Sequence, residues 1–164
     1  MNRLPAIRLR FVEGQGFASD LIELREMTCM PIVPSHVECV DPETGKYISQ
    51  HASGGMQARD PGYDAPFKGE CFVDLPCTPE QEARFYAAAR ASIGQPYDIE
   101  AIVGFAIPGH FHTKFQAFCS AKMFLLLRDD ADWFPSHAPV AVPAHCIDPR
   151  DLLYGISLVI VVEH

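Results

Sequence analysis

A cysteine at the start of an apolar helix is the residue of this chain best placed to do chemistry. Cys119 lies in the stretch QAFCSAKMFLLLRDD, residues 116–130. The free N–H groups and the dipole of a helix N-terminus stabilise a thiolate and can also stabilise a developing oxyanion. A free cysteine more often fills a core, so the interpretation of Cys119 as a nucleophile requires a base elsewhere in the chain. With such a base, we expect an accessible thiol of lowered pKa.

The candidate base comes from the histidines. Of seven, five lie in predicted loops or at the terminus. The other two, His36 and His51, lie in the two arms of a predicted β-hairpin joined by the turn DPETG: SHVECV (35–40) and KYISQH (46–51). If Val40 faces Tyr47 across that turn, the same register pairs His36 directly with His51. Their Cβ atoms would then lie about 5 Å apart.

The elements around this hairpin predict one α+β domain, residues 1–164, with a mainly antiparallel sheet packed against a few helices. AIRLRFVE (6–13) and ECFVDLP (70–76) have the pattern of strands, and residues 52–69 read as a loop. Residues 19–27 suit either a short helix or an extended segment. We expect a short helix over residues 97–106, a short helix led by Asp148 and Pro149, and a buried strand over residues 155–164.

The best-marked helix follows Thr78. Thr78 is a natural N-cap, Pro79 suits the first helical position, and Gln81 completes a capping box. The apolar face should comprise Phe85, Tyr86, Ala89 and Ile93, and Gly94 should end the helix.

Composition excludes several classes of partner. A formal charge of −8 argues against nucleic acid, since phosphate binding requires a basic face. The longest apolar runs, such as LVIVV at 158–162, are too short for stable insertion in a membrane. Residues 1–10 lack the apolar core of a secretory signal, so we expect a cytoplasmic protein; release or delivery as a phage protein is the alternative. The oligomeric state is left open.

The spacing of the cysteines and histidines does not predict a metal site. The chain has no Cys-x-x-Cys pair, and its nearest spacings are Cys71-x₅-Cys77 and His110-x-His112. Structural zinc normally shows tighter pairs of ligands. We therefore expect neither a metal nor a cofactor.

Short motifs in a characteristic order carry a resemblance to a known family. SHVECV (35–40), GGM (54–56), GQPYD (94–98) and FCSA (118–121) together resemble the permuted NlpC-type papain-like cysteine hydrolases. That group includes the lecithin:retinol acyltransferase-like enzymes and numerous bacterial and phage proteins. In it the catalytic histidine lies on an early strand and the cysteine begins a later helix, the reverse of the papain order. The resemblance covers about residues 6–155 and implies a circularly permuted papain-like fold.

The resemblance also implies roles for individual residues. It makes Cys119 the nucleophile and His36 the general base, with a third, polar residue from the next strand to orient the histidine. His51 fits that place, and Ser49 and Glu38 are its rivals; the hairpin here is longer than in many relatives. Glu38, Ser49, Gly55 and Tyr97 are candidate substrate-binding residues.

The function expected from these roles is hydrolysis of an amide bond, in a peptide such as a cell-wall peptide, through an acyl-enzyme. Two alternatives stay open. One is hydrolysis or transfer of an acyl ester or thioester, with a small acyl molecule as substrate. The other is a phage-associated binding or structural module that keeps the fold without turnover.

Overall fold

In the part of the chain that the structure describes, five antiparallel strands form one sheet, and three helices pack against it. The computed structural model describes residues 3–14, 34–51, 54–95, 117–134, 147 and 149–162. The spatial order is β4-β3-β2-β1-β5, and the strands are β1 (Ala6–Glu13), β2 (His36–Val40), β3 (Tyr47–His51), β4 (Gly55–Arg59) and β5 (Gly69–Pro76). The helices are α1 (Pro79–Ala91), α2 (Ala117–Leu125), which continues into a π-helical segment (Leu126–Asp130), and α3 (Pro149–Val162). The predicted α+β class and antiparallel sheet are confirmed.

The predicted hairpin forms in the predicted register. Val40 pairs with Tyr47 and Cys39 with Ile48, so continuation of the ladder brings His36 opposite His51. The turn is closed by Asp41, whose carboxylate accepts hydrogen bonds from the Glu43 N–H and the Thr44 hydroxyl. Gly45 has a φ of +70°, a conformation that costs glycine little. Local turn chemistry thus sets the register of the two strands that carry the histidines.

Alternation along β1 and β2 gives the sheet one apolar face. Ile7, Leu9, Phe11, Val37 and Cys39 are completely buried on it. The helices cover this face with large apolar side chains: Phe85, Met123, Phe124, Leu152 and Ile156. Burial of each such side chain stabilises the fold by roughly 1.5–3 kcal/mol.

The capping box of α1 is present as predicted. The Thr78 hydroxyl accepts from the Gln81 N–H at 3.2 Å, and the Gln81 side chain accepts from the Thr78 N–H at 3.0 Å. Its buried face comprises Phe85, Tyr86 and Ala89. The extent of that face was predicted wrongly, because the helix ends at Ala91 and leaves Ile93 42 % exposed.

Two further expectations are wrong. Residues 55–59, predicted as loop, form β4, which pairs with β3 because Met56 is buried in the sheet. The segment predicted as a buried strand from residue 155 belongs to α3, which begins at the expected Pro149 but runs on to Val162. Its β-branched residues favour a strand by less than about 1 kcal/mol each. Leu152, Leu153 and Ile156 are buried at helical spacing, and this packing outweighs the local preference.

Some expectations concern parts of the chain outside the described residues. These are the undecided segment 19–27, the helix over 97–106 and its Tyr97. Within the described residues, no helix combines the length and apolar content needed to cross a membrane.

Candidate active site

Cys119 lies in the first turn of α2, the helix that packs against β2 and β3. Its neighbour Ser120 is completely buried and donates a hydrogen bond from its hydroxyl to the Ile147 carbonyl at 2.6 Å, which anchors this turn. The prediction of an accessible thiol is wrong, because Cys119 is only 2 % exposed. The thiol is buried because α2 packs against β2 and β3.

The Cys119 thiol and the His36 imidazole form a hydrogen-bonded pair. Burial opposes the charged form of each group, but their mutual attraction outweighs it. The pKa of Cys119 therefore falls below its usual range, as predicted, and that of His36 rises to about 10. Backbone N–H groups of Val37 and Ser120 also lower the pKa of the thiol. Both shifts favour a thiolate beside an imidazolium over the neutral pair.

The two nitrogens of His36 have different surroundings. Nε2 has no hydrogen-bond partner among the described residues, so the hydrogen bond to Cys119 involves Nδ1. Nε2 instead lies 3.6 Å from Oε2 of Glu38, a pairing of opposite charges when the imidazole is protonated. His36 and Glu38 share one face of β2 because they are two residues apart on a strand. The ring of His36 is thus bracketed by a sulfur and a carboxylate.

Glu38 is completely buried and ionised. Burial alone would raise its pKa, but His36 and then Arg10 outweigh that effect and hold the pKa below its usual range. Arg10 Nη1 donates to Glu38 Oε1 at 2.5 Å, and the Tyr63 hydroxyl donates to Oε2 at 3.0 Å. These two donors leave the carboxylate little freedom to rotate.

Arg10 is the centre of a buried ionic cluster under the site. It is 1 % exposed and makes two hydrogen bonds to Asp64, at 2.9 and 3.3 Å, and one to Glu70 at 2.6 Å. The rings of Tyr47 and Phe67 flank its guanidinium at 4.7 and 5.0 Å. A buried guanidinium needs such partners, since charge without compensation is costly inside a protein.

His51 packs against His36 as the register predicts. Their ring centroids are 5.1 Å apart with the planes tilted by 38°, and Tyr63 meets His51 edge-on at 5.5 Å. Burial, then the charge of His36, lowers the pKa of His51 to about 4, so the ring is neutral at physiological pH. His51 therefore contacts the His36 ring as a neutral ring, whereas Glu38 places a negative charge beside it.

The other candidate residues have different settings. Ser49 is completely buried and donates its hydroxyl to the Val37 carbonyl at 2.7 Å, an interaction that ties β3 to β2. Gly55 begins β4 with a φ of +73° and pairs with His51. Tyr97 lies outside the described residues.

Sequence reasoning missed Arg10, Tyr63, Asp64 and Glu70. Arg8 and Arg10 occupy equivalent alternate positions of β1, and the sequence does not distinguish them. Arg8 stays 46 % exposed by its side chain and pairs with Asp74 at 3.0 Å. The only available signal was the density of charge in an otherwise apolar strand.

Comparison of the chain with protein-family models, with curated proteins and with solved structures gave no significant match.

Proposed function

We propose that this chain is a cysteine hydrolase of the permuted papain-like type that cleaves an amide bond through an acyl-enzyme on Cys119. The supporting observation is the hydrogen-bonded pair of Cys119 and His36, with the pKa of the thiol lowered and that of the imidazole raised. Strongly perturbed, mutually coupled groups of this kind are typical of catalytic sites.

The first chemical step uses the preformed ion pair. The Cys119 thiolate attacks the substrate carbonyl carbon, and the carbonyl π electrons move to oxygen. The backbone N–H groups in the first turn of α2 lack intrahelical acceptors and are suited to stabilise that oxyanion. His36 then gives its Nδ1 proton to the leaving nitrogen as the carbon–nitrogen bond breaks. The amine departs and a thioester to Cys119 remains.

The second step reverses the roles of the same groups. Neutral His36 takes a proton from water, whose oxygen attacks the thioester carbonyl. The carbon–sulfur bond breaks, the carboxylic acid leaves, and the thiolate–imidazolium pair is restored. No redox cofactor or metal is required for this balance.

Glu38 is the positioning residue of this mechanism. Its carboxylate faces Nε2 of His36 and favours the imidazolium that each turnover requires. Arg10 and Tyr63 hold the carboxylate in place, so the buried cluster supports the base without touching substrate. This arrangement favours Glu38 over His51 and Ser49 for the third role.

A soluble peptide amide is the substrate class we favour. The net charge of −8 would be repelled by anionic lipid, which disfavours an acyl-lipid substrate at a membrane surface. Hydrolysis or transfer of acyl esters or thioesters would use the same two residues, Cys119 and His36. Activity assays with the two kinds of substrate distinguish it from amide cleavage.

The decisive experiment combines substrates with variants. Wild-type protein is incubated with a panel of muropeptides and with p-nitrophenyl esters of rising acyl length, and the thioester on Cys119 is trapped by acid quench and located by mass spectrometry. Cys119→Ala and His36→Ala should both abolish turnover, whereas the matched thiol control Cys71→Ala should not. Rates that climb with acyl length while muropeptides remain intact would indicate an acyl ester enzyme. Absence of any acyl-enzyme with all substrates would favour a binding module.

A further inference from the structure

Two imidazoles and a carboxylate meet beside the pair of Cys119 and His36. His36, Glu38 and His51 each offer one ligand atom, and these atoms all lie within 4.8 Å of one another. The spacing of histidines and cysteines along the chain gives no sign of this group, because two strands that fold back on each other bring it together.

The side-chain nitrogens in this group are poorly satisfied. Nε2 of His36 and Nε2 of His51 are both buried and, within the described residues, have no hydrogen-bond partner. A buried polar atom without a partner costs about 1–3 kcal/mol. These two nitrogens lie beside the Glu38 carboxylate, and the three groups can supply ligand atoms to a cation once His36 releases its Nε2 proton.

The geometry is close to that of a zinc site. Zinc bonds to histidine nitrogen and carboxylate oxygen at about 2.0–2.1 Å, so neighbouring ligands of a tetrahedron lie roughly 3.3 Å apart. Nε2 of His36 and Oε2 of Glu38 are already 3.6 Å apart. The other two separations are within 4.8 Å, so the three atoms need to approach one another by at most about 1.5 Å to reach bonding distance from one zinc ion. Two histidines and a glutamate are also a ligand set that zinc uses in proteins.

The surroundings supply the outer partners that a metal site needs. Arg10 holds Oε1 of Glu38, and Tyr63 donates to Oε2 while its ring packs edge-on against His51. Such outer contacts fix the direction of ligand atoms and are part of a functional site.

We propose that His36, Glu38 and His51 bind a zinc ion that inhibits the enzyme by occupying Nε2 of its base. Binding itself follows from the three ligands, whereas inhibition rests on the proposed function. Zinc replaces the Nε2 proton of His36, which is released to solvent. The remaining Nδ1 proton then becomes hard to give away, because its loss would leave a zinc-bound imidazolate. His36 can no longer protonate the leaving nitrogen, although Cys119 is not a ligand.

Cys119→Ala protein provides the direct test, because the substitution removes the thiolate that zinc could otherwise use. Zinc chloride is titrated into this full-length variant by calorimetry, and histidine ring nitrogens are followed by long-range proton–nitrogen NMR. We expect zinc to bind and to shift the Nε2 signals of both His36 and His51. Adding His51→Ala should weaken binding by more than the roughly tenfold that loss of an outer partner costs. The NMR result on Cys119→Ala alone stands even if the double variant fails to fold.

Several outcomes would overturn the zinc proposal. Loss of zinc binding in Cys119→Ala would place the metal on the thiolate, and unshifted His36 and His51 signals would place it elsewhere. Zinc that raises hydrolysis by wild-type protein would contradict inhibition. Zinc binding at the three ligands in a protein that hydrolyses none of the panel would retain the site and reject the proposed enzyme. Hydrolysis without zinc binding at these ligands would support the proposed enzyme and reject the zinc site.

Discussion

Oε2 of Glu38 lies 3.6 Å from Nε2 of His36, while Oε1 of the same carboxylate accepts a hydrogen bond from Arg10. Both Glu38 and Arg10 are almost completely buried. The carboxylate thus links the buried ionic cluster around Arg10 to the imidazole of His36, which lowers the pKa of Cys119. Pairwise interactions therefore connect Arg10 on β1 to Glu38 and His36 on β2, and His36 to Cys119 on α2.

The thiol of Cys119 should react as a thiolate below the pH at which ordinary cysteines do. Its lowered pKa means that the ionised form persists at pH values below the usual thiol pKa of roughly 8.5. Alkylation by iodoacetamide, followed by peptide mapping over a pH series, measures this. Cys39 is an internal control, because burial raises the pKa of its thiol.

His36→Ala should remove this low-pH reactivity, because His36 provides the charge that holds the thiolate. A Cys119 that alkylates only at alkaline pH, with or without His36, would refute the ion pair.

Glu38→Gln should lower kcat/KM on the order of 100-fold, the scale of a positioned acid–base group. Loss of the negative charge also lowers the pKa of His36, so the alkaline limb of the pH–rate profile should move to lower pH. Glu70→Gln is the matched control, since Glu70 also bonds Arg10 but belongs to β5. Thermal melts of both variants separate a positioning effect from unfolding.

The orienting role would belong to His51 if His51→Ala lowered kcat/KM more than Glu38→Gln did and the pH–rate profile of Glu38→Gln did not move. Ser49→Ala should have the smallest effect on turnover of the three, because the Ser49 hydroxyl bonds the Val37 carbonyl.

Arg10→Met should destabilise the fold far more than Arg8→Met. Arg10 compensates carboxylates in a buried cluster, and breaking such a cluster from one side costs about 3–5 kcal/mol. Arg8 sits two residues away on the same strand in an exposed pair with Asp74, which contributes at most about 1 kcal/mol. Urea unfolding monitored by circular dichroism compares the two. Equal free energies of unfolding for the variants would contradict the burial of the cluster.

Acid should weaken the fold through Asp41. Burial would raise the pKa of Asp41, but hydrogen bonds from Arg90 and Thr44 outweigh it and hold the pKa below its usual range. A folded-state pKa below the unfolded value means that the stabilisation is present above the ordinary pKa of about 3.9 and is lost as pH falls further. Asp41→Asn should flatten the dependence of the unfolding free energy on pH in that acidic window.

Glu43→Gln is the control for this measurement, since Glu43 also pairs with Arg90 but its side chain is 71 % exposed. A pH dependence that changes as much in Glu43→Gln as in Asp41→Asn would reject the role of Asp41.

Local sequence was sufficient to determine the hairpin and the start of α1. The turn around Gly45 and the alternation on either side leave one register that keeps Val37 and Cys39 in the core, and that register makes neighbours of His36 and His51. The capping box of Thr78 and Gln81 is equally local, because donor and acceptor are three residues apart.

Only the tertiary structure decided how the site is completed. Arg8 and Arg10 look alike in an alternating strand, and one becomes buried because Glu38, Asp64 and Glu70 converge on it from distant parts of the chain. Likewise α3 is a helix because Leu152 and Ile156, which are spaced four residues apart, are both buried in the core, although its later residues favour a strand. The helix and strand patterns of the sequence indicated Cys119 and His36 as candidate nucleophile and base. Their contact depends on how α2 packs on β2, a long-range arrangement that local propensity does not encode.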